Sequence, residues 1–138
     1  GLIKGASSGK GIGDKFLRHV ERSSILLHIV DGTSENFVED YKIVLEELKL
    51  YSPVLSLKPR FTILNKIDAL SSNVIKEKVK TLSEETGSNV LCMSGVSKEG
   101  ITAVLRKLKI SIDKDLNNYL DKNEKKHFDN LDTGKWEP

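Results

Sequence analysis

Residues 60–68 read RFTILNKID, an apolar run that leads directly into a polar segment. The run RFTIL at 60–64 has the length and the β-branched and aromatic content of a strand buried on both faces, as in a parallel sheet. The tetrapeptide Asn65-Lys66-Ile67-Asp68 follows where such a strand would end. Because α/β sheets bind ligands at the carboxyl ends of their strands, this stretch predicts both a fold and the place of a site.

Two similar apolar runs occur on either side in the chain, SILLHIV at 24–30 and NVLCM at 89–93. Apolar residues at three- and four-residue spacing predict a helix between the first two strands, a second that ends at Gly87 as a left-handed cap, and a third from Val104 to Tyr119. A further helix is predicted over residues 14–23. Strands that alternate with helices through short connections predict right-handed crossovers, and therefore an α/β fold with three parallel strands.

The composition fits about one globular domain, since 38% of the 138 residues are hydrophobic and 30% are charged. We expect this domain to occupy residues 1–120, and the polar, aperiodic residues 121–138 to form a flexible tail. No run approaches the roughly 18 apolar residues of a membrane span and no secretory pattern starts the chain, which favours a cytoplasmic protein. Cys92 is the single cysteine, and no second His or Cys is spaced to join His28, so we expect neither a disulfide nor a metal site.

The glycine-rich stretch GASSGKGIG at 5–13 invites comparison with phosphate-binding loops. A P-loop needs G-x-x-x-x-G-K-[ST] directly after a buried strand, but Gly5 lies one residue too close to Gly9 and Gly11 stands at the hydroxyl position. The dinucleotide-binding motif lacks its third glycine at the required spacing. A loop that leads into the helix over 14–23 is therefore the favoured interpretation.

Asn65, Lys66 and Asp68 have the chemistry to recognise guanine. The Asp68 carboxylate can accept hydrogen bonds from N1–H and from the exocyclic amino group, a pair of donors that adenine does not present. Asn65 would tie neighbouring loops together and touch N7, while the alkyl stem of Lys66 would lie over the base plane. An ordinary strand-end turn is the competing interpretation, but the position after a buried strand favours a site. The next strand also ends at the same edge, in the segment SGV at 94–96.

Four segments occur in a fixed order along the chain: GLIKGA at 1–6, GKGIG at 9–13, FLRHVER at 16–22 and ELKLYSP at 47–53. In this order and spacing the chain resembles, from residue 1 to about residue 112, the Obg (CgtA) GTPases, bacterial P-loop proteins associated with assembly of the large ribosomal subunit. The resemblance implies part of a Ras-like P-loop NTPase domain. It also implies GTP or GDP with Mg²⁺ as ligands, and the large ribosomal subunit or its rRNA as partner.

The resemblance also assigns individual positions. Residues 2–13 match switch II, the loop that senses the γ-phosphate, rather than the phosphate cradle, and Gly1 matches the last residue of an Asp-x-Pro-Gly motif. Asn65, Lys66 and Asp68 match the guanine-specificity motif, which has the pattern NKxD. Residues 94–96 match a base-contacting loop in which the family usually has Ser-Ala. A backbone amide makes that contact, so glycine should serve there with a looser loop. The nucleotide-binding residues implied in this way are Gly1, Asn65, Lys66, Asp68, Ser94, Gly95 and Val96.

In the family, the P-loop, switch I and the magnesium ligands would all precede Gly1, and the resemblance therefore implies the C-terminal portion of a G domain. The partner of this portion would be the missing N-terminal half of the G domain. We expect this chain to carry no catalytic residue, and to be inactive alone although the family hydrolyses GTP. The alternative is a non-catalytic remnant or a ribosome- or RNA-binding module, because Lys15, Arg18 and Arg22 share one helix face that suits RNA or plain solvent equally well.

Overall fold

The structure is a computed structural model that describes the backbone of residues 12–132 and the side chains of residues 15–126. Gly1 and most of the glycine-rich segment that matches switch II lie outside the described residues, as does the end of the predicted tail. Their predicted roles stay predictions.

The described chain alternates strands and helices in the predicted way. The elements are α1 (Ile12–Glu21), β1 (Leu26–Asp31), α2 (Phe37–Tyr51), α3 (Pro53–Ser56), β2 (Arg60–Asn65), a 3-10 turn (Ile67–Ala69), α4 (Ser72–Thr86), β3 (Val90–Cys92) and α5 (Ile101–Asp132). The strands form one parallel sheet in the order β1-β2-β3, with Leu26 beside Arg60 and Thr62 beside Val90. The predicted α/β fold with three parallel strands is confirmed, and it is consistent with part of a Ras-like G domain.

Local chemistry sets the ends of the helices. The Ser71 hydroxyl accepts from the Val74 amide at 3.4 Å and so caps the start of α4. Gly87 ends α4 in the left-handed conformation (φ +68°), as predicted. Ser52 stops α2 with an extended backbone, and its hydroxyl accepts from the Leu55 amide at 3.4 Å to start α3. The sequence did not predict α3, because four residues are too short to show a helical period.

Buried apolar side chains form two clusters. The larger one involves β1, β2, β3, α2 and α4; it contains Val30, Tyr41, Leu64, Ile67, Leu82 and Val90. The smaller one joins α1, α2 and α3 through Leu17, Leu48 and Leu55. Phe16, next to the fully buried Leu17, is 41% exposed, and α1 is therefore held by a narrow apolar contact.

Strand β1 lies at the edge of the described sheet. His28 and Val30 are buried, whereas Leu27 and Ile29, on the other face, are 39% and 49% exposed. The prediction that this strand is buried on both faces is wrong, because the larger cluster and Tyr41 cover only the face that carries His28 and Val30. A groove of about 430 Å³ runs along this edge, lined by apolar side chains that include Phe16 and Val20 of α1.

Contacts divide the chain into two units, residues 1–104 and residues 105–138. The second unit contains the rest of α5, which stays helical to Asp132 and so continues past Asp121, where the sequence predicted a flexible tail to begin. Residues 101–132 contain no proline or glycine, so nothing in the backbone chemistry stops the helix there. The division at residue 120 and the flexibility of 121–138 stay predictions. Within residues 12–132, no helix is both long and apolar enough to cross a membrane.

The imidazole of His28 is buried in β1 and stacks on the Tyr41 ring, with centroids 4.6 Å apart. Its Nδ1 finds no hydrogen-bond partner among the described residues. Burial, assisted by the positive charge of Arg60, lowers the pKa of His28 from 6.5 to about 4.

This buried histidine predicts that acid destabilises the fold. Below pH 6.5 the unfolded chain binds a proton at His28 that the folded chain does not accept until about pH 4, so protons favour unfolding. The free energy of unfolding should fall by roughly 3 kcal/mol as the pH drops from 6.5 to 4, measured by urea unfolding. In His28→Phe, which keeps an aromatic ring against Tyr41, most of this dependence should vanish, whereas in His19→Gln it should remain. An equal pH dependence in His28→Phe and the native chain would contradict the assignment.

The exposed edge of β1 predicts self-association. A strand edge with unpaired amides and apolar side chains invites pairing with another chain, and no charge or proline interrupts Leu26–Val30. Sedimentation velocity should show dimers or larger species that grow with concentration, and Ile29→Lys should shift the chain toward monomer. The control is Leu57→Lys at another exposed apolar position, 83% exposed, which should change nothing. A native chain that stays monomeric across the concentration range would refute this prediction.

Candidate functional site

The carboxyl ends of the three strands bring the predicted site residues together. Strand β2 ends at Asn65, and Lys66 and the 3-10 turn that contains Asp68 follow it. Strand β3 ends at Cys92, two residues before Ser94, and β1 ends at Asp31, which lies beside Asn65 in the sheet register. Because the strands are parallel, all three carboxyl ends lie on the same side of the sheet, which we call the carboxyl edge. It is distinct from the lateral edge formed by β1.

Asp68 is held by a buried serine. The Ser94 hydroxyl donates to Oδ1 of Asp68 at 2.6 Å and accepts from the Ser97 amide at 2.9 Å, and the Ser94 residue is fully buried. The Ser97 amide occupies one acceptor site of the Ser94 hydroxyl, so the hydroxyl proton is directed to the carboxylate. Asp68 itself is exposed, and a carboxylate accepts about four hydrogen bonds, which leaves acceptor capacity facing solvent.

Asn65 links the β2 end to the loop after β3. The Gly95 amide donates to Oδ1 of Asn65 at 3.2 Å, which is the link between neighbouring loops that the sequence predicted. A Cβ added to Gly95 would lie 4.0 Å from this oxygen, which is an ordinary contact. The alanine that is usual at this position in the family that the chain resembles would therefore also fit. The adjacent Val96 is 84% exposed and leaves an apolar side chain at the rim of the site.

Lys66 adopts a left-handed backbone conformation, with φ 63° and ψ 32°. Its ammonium donates to Oδ2 of Asp31 at 2.8 Å. Oδ1 of the same carboxylate accepts from the amide and the hydroxyl of Thr33, at 2.9 Å and 2.7 Å. The hydrogen bonds from Lys66 and Thr33 lower the pKa of Asp31 to about 2, so this carboxylate stays charged over the physiological range.

Asp31 is the residue that sequence reasoning missed. It follows the first apolar run directly, at the position that Asn65 occupies after the second, and this repeated placement was the signal available. Of the seven predicted residues, the structure gathers six at this edge, since Gly1 lies outside the described part of the chain.

The site has the chemistry of a binding surface for a planar polar ligand. An exposed carboxylate fixed at one oxygen can accept two hydrogen bonds from adjacent N–H donors, and a lysine stem beside it offers apolar cover. Within the described ranges, no group of three or more His, Cys, Asp and Glu side chains could hold a metal ion.

The sequence is similar to curated proteins whose family is known. It matches no protein-family model. It is 46% identical over 106 residues to GTPase Obg of Rickettsia bellii (strain RML369-C), which covers 77% of this chain and 32% of that protein. It is 44% identical over 108 residues to GTPase Obg of Synechococcus sp. (strain JA-3-3Ab), covering 78% and 28%. The chain thus spans about a third of the length of these curated relatives. Over the matched residues, it belongs to the Obg family of GTPases.

Proposed function

We propose that this chain supplies the guanine-recognition part of the nucleotide site in an Obg-like GTP-binding protein. The observation that carries the proposal is the exposed carboxylate of Asp68, oriented by the buried Ser94 hydroxyl at 2.6 Å. A free carboxylate would have to give up rotational freedom to bind a base, whereas this one is already fixed. The two relatives named GTPase Obg support the same ligand.

Guanine suits this arrangement better than adenine. Its N1–H and 2-amino group are adjacent donors that one carboxylate can accept together, while adenine offers an N1 lone pair that the Asp68 charge would repel. The stem of Lys66 would cover one face of the ring, and Asn65 would hold the two loops on either side. An amide of the loop at 94–96 would donate to the base.

The phosphate-binding part of the site is proposed to come from the family's N-terminal half of the G domain. Together the two halves would bind GTP with Mg²⁺ and hydrolyse it in the cytoplasm, as part of large ribosomal subunit assembly. The contribution of this chain to the complete site would be selection of the base.

Base selection can be tested on the chain as it stands. Guanosine monophosphate should bind with a dissociation constant on the order of a millimolar, because a few hydrogen bonds without phosphate contacts give only modest affinity. Adenosine monophosphate should bind at least tenfold more weakly, with both titrations followed by amide chemical shifts. Magnesium-dependent release of phosphate from GTP should not exceed that of Asp68→Ala. Equal affinity for the two nucleotides would refute the proposal and favour the alternative of a non-catalytic or RNA-binding module.

Replacing Asp68 with asparagine should change which base is preferred. The amide can donate to the C2 carbonyl of xanthine, where the carboxylate accepted from the amino group of guanine. The ratio of affinities for xanthosine and guanosine monophosphates should rise at least tenfold in Asp68→Asn. Glu77→Gln, which neutralises an exposed carboxylate on α4, serves as the matched control and should leave the ratio unchanged. An unchanged ratio in Asp68→Asn would mean that this residue does not contact the base.

A further inference from the structure

We propose that Asp31 is a positioning residue for Lys66, and that the loop from Asp31 to Ser34 sets this lysine for the base before a nucleotide binds. The proposal deepens the proposed function and rests on it. Asp31 is the last residue of β1, whereas the segment Asn65–Asp68 begins at the end of β2 and the loop at 94–96 follows β3.

The side chain of Lys66 is directed toward β1. Its ammonium lies 2.8 Å from Oδ2 of Asp31, so its charge is engaged with β1. The carboxylate is itself fixed, because its other oxygen accepts twice from Thr33. Both partners stay partly exposed, at 52% for the lysine side chain and 43% for the aspartate, so the pair remains within reach of a ligand.

The backbone next to the lysine is held by the same loop. The Gly32 amide donates to the Asn65 carbonyl at 2.9 Å, and that carbonyl belongs to the peptide bond joining Asn65 to Lys66. A Cβ at Gly32 would lie 2.6 Å from this oxygen, closer than side chains tolerate, so glycine is required for the approach. Lys66, in its left-handed conformation, is therefore held at its backbone by Gly32 and at its ammonium by Asp31.

The loop in turn is fixed from the other side by Lys78 of α4. Its ammonium donates to the Gly32 carbonyl at 2.5 Å and to the Ser34 carbonyl at 3.3 Å. The same ammonium lies 4.8 Å from the centre of the Phe37 ring, a cation–π contact. The segment that carries Asp31 is thus tied to β2 and to α4, and it can act as a rigid support for Lys66.

The consequence is a lysine that acts through its stem. A long flexible side chain loses much of its rotamer freedom when it packs against a ligand, and this cost is lower if an ion pair has already restricted the chain. With its ammonium turned toward Asp31, Lys66 offers its methylene groups to the base. Asp31 would therefore influence affinity without contacting the nucleotide.

The test is a double-mutant cycle on the full chain with guanosine monophosphate. Asp31→Asn keeps an oxygen for Thr33 but removes the charge, and it should weaken binding about three- to fivefold, in line with exposed ion pairs. Lys66→Met keeps most of the stem without the charge and should weaken binding by a similar factor. Adding Asp31→Asn to Lys66→Met should cause no further loss. In the native chain, a ¹H–¹⁵N signal of the Lys66 ammonium should be visible, and Asp31→Asn should abolish it.

The matched control is Glu85→Gln, which breaks the Lys42–Glu85 pair, an ion pair of comparable exposure elsewhere in the chain. It should leave the affinity unchanged. The inference is overturned if Asp31→Asn binds as tightly as the native chain, or if it weakens binding equally in the Lys66→Met background, since the latter means a general structural effect. A native chain that does not prefer guanosine over adenosine monophosphate overturns the proposed function, and this inference with it.

Discussion

The parallel register of the three strands is the constraint on which the site depends. Asp31 lies beside Asn65, and Leu64 lies beside Cys92, so each strand delivers its following residues to the same edge. Ile63 and Leu64 point to opposite faces of β2 and are both fully buried, so the strand is packed on both sides. A slip of one residue toward the amino end would carry the polar Asn65 into the packed position of Leu64, which opposes the slip. The position of the polar residues is therefore fixed by packing rather than by their own hydrogen bonds.

Packing also explains how the turn after β2 presents its functional groups. Ile67 is buried in the larger cluster, while Lys66 and Asp68 on either side are exposed. The isoleucine anchors the turn, and its two polar neighbours consequently face the solvent at the carboxyl edge. Hydrogen bonds then refine their directions, through Ser94 for Asp68 and through Asp31 for Lys66. Burial supplies the position and polar contacts supply the orientation.

The sequence was informative wherever one residue type has one physical role. Apolar runs predicted the strands, Gly87 predicted the end of α4, and the position of Asn65 after a buried run predicted the edge at which polar groups gather. It was uninformative where the outcome depends on a distant partner. Nothing local to Asp31 indicates that its partner is Lys66, and Gly32 shows its function only when Asn65 approaches. The exposure of Leu27 and Ile29 likewise depends on what packs against their face of β1, which composition does not encode.

The proposed contact between the Asp68 carboxylate and the guanine base can be observed through the ¹³C resonance of this carboxyl carbon. In a chain labelled at its aspartate carboxyl groups, guanosine monophosphate should shift the Asp68 signal with the same concentration dependence as the amides of residues 65–68 and 94–96. Adenosine monophosphate should leave the signal in place. If guanosine monophosphate binds and perturbs amides elsewhere in the chain while the Asp68 carboxyl resonance does not move, then Asp68 does not contact the base.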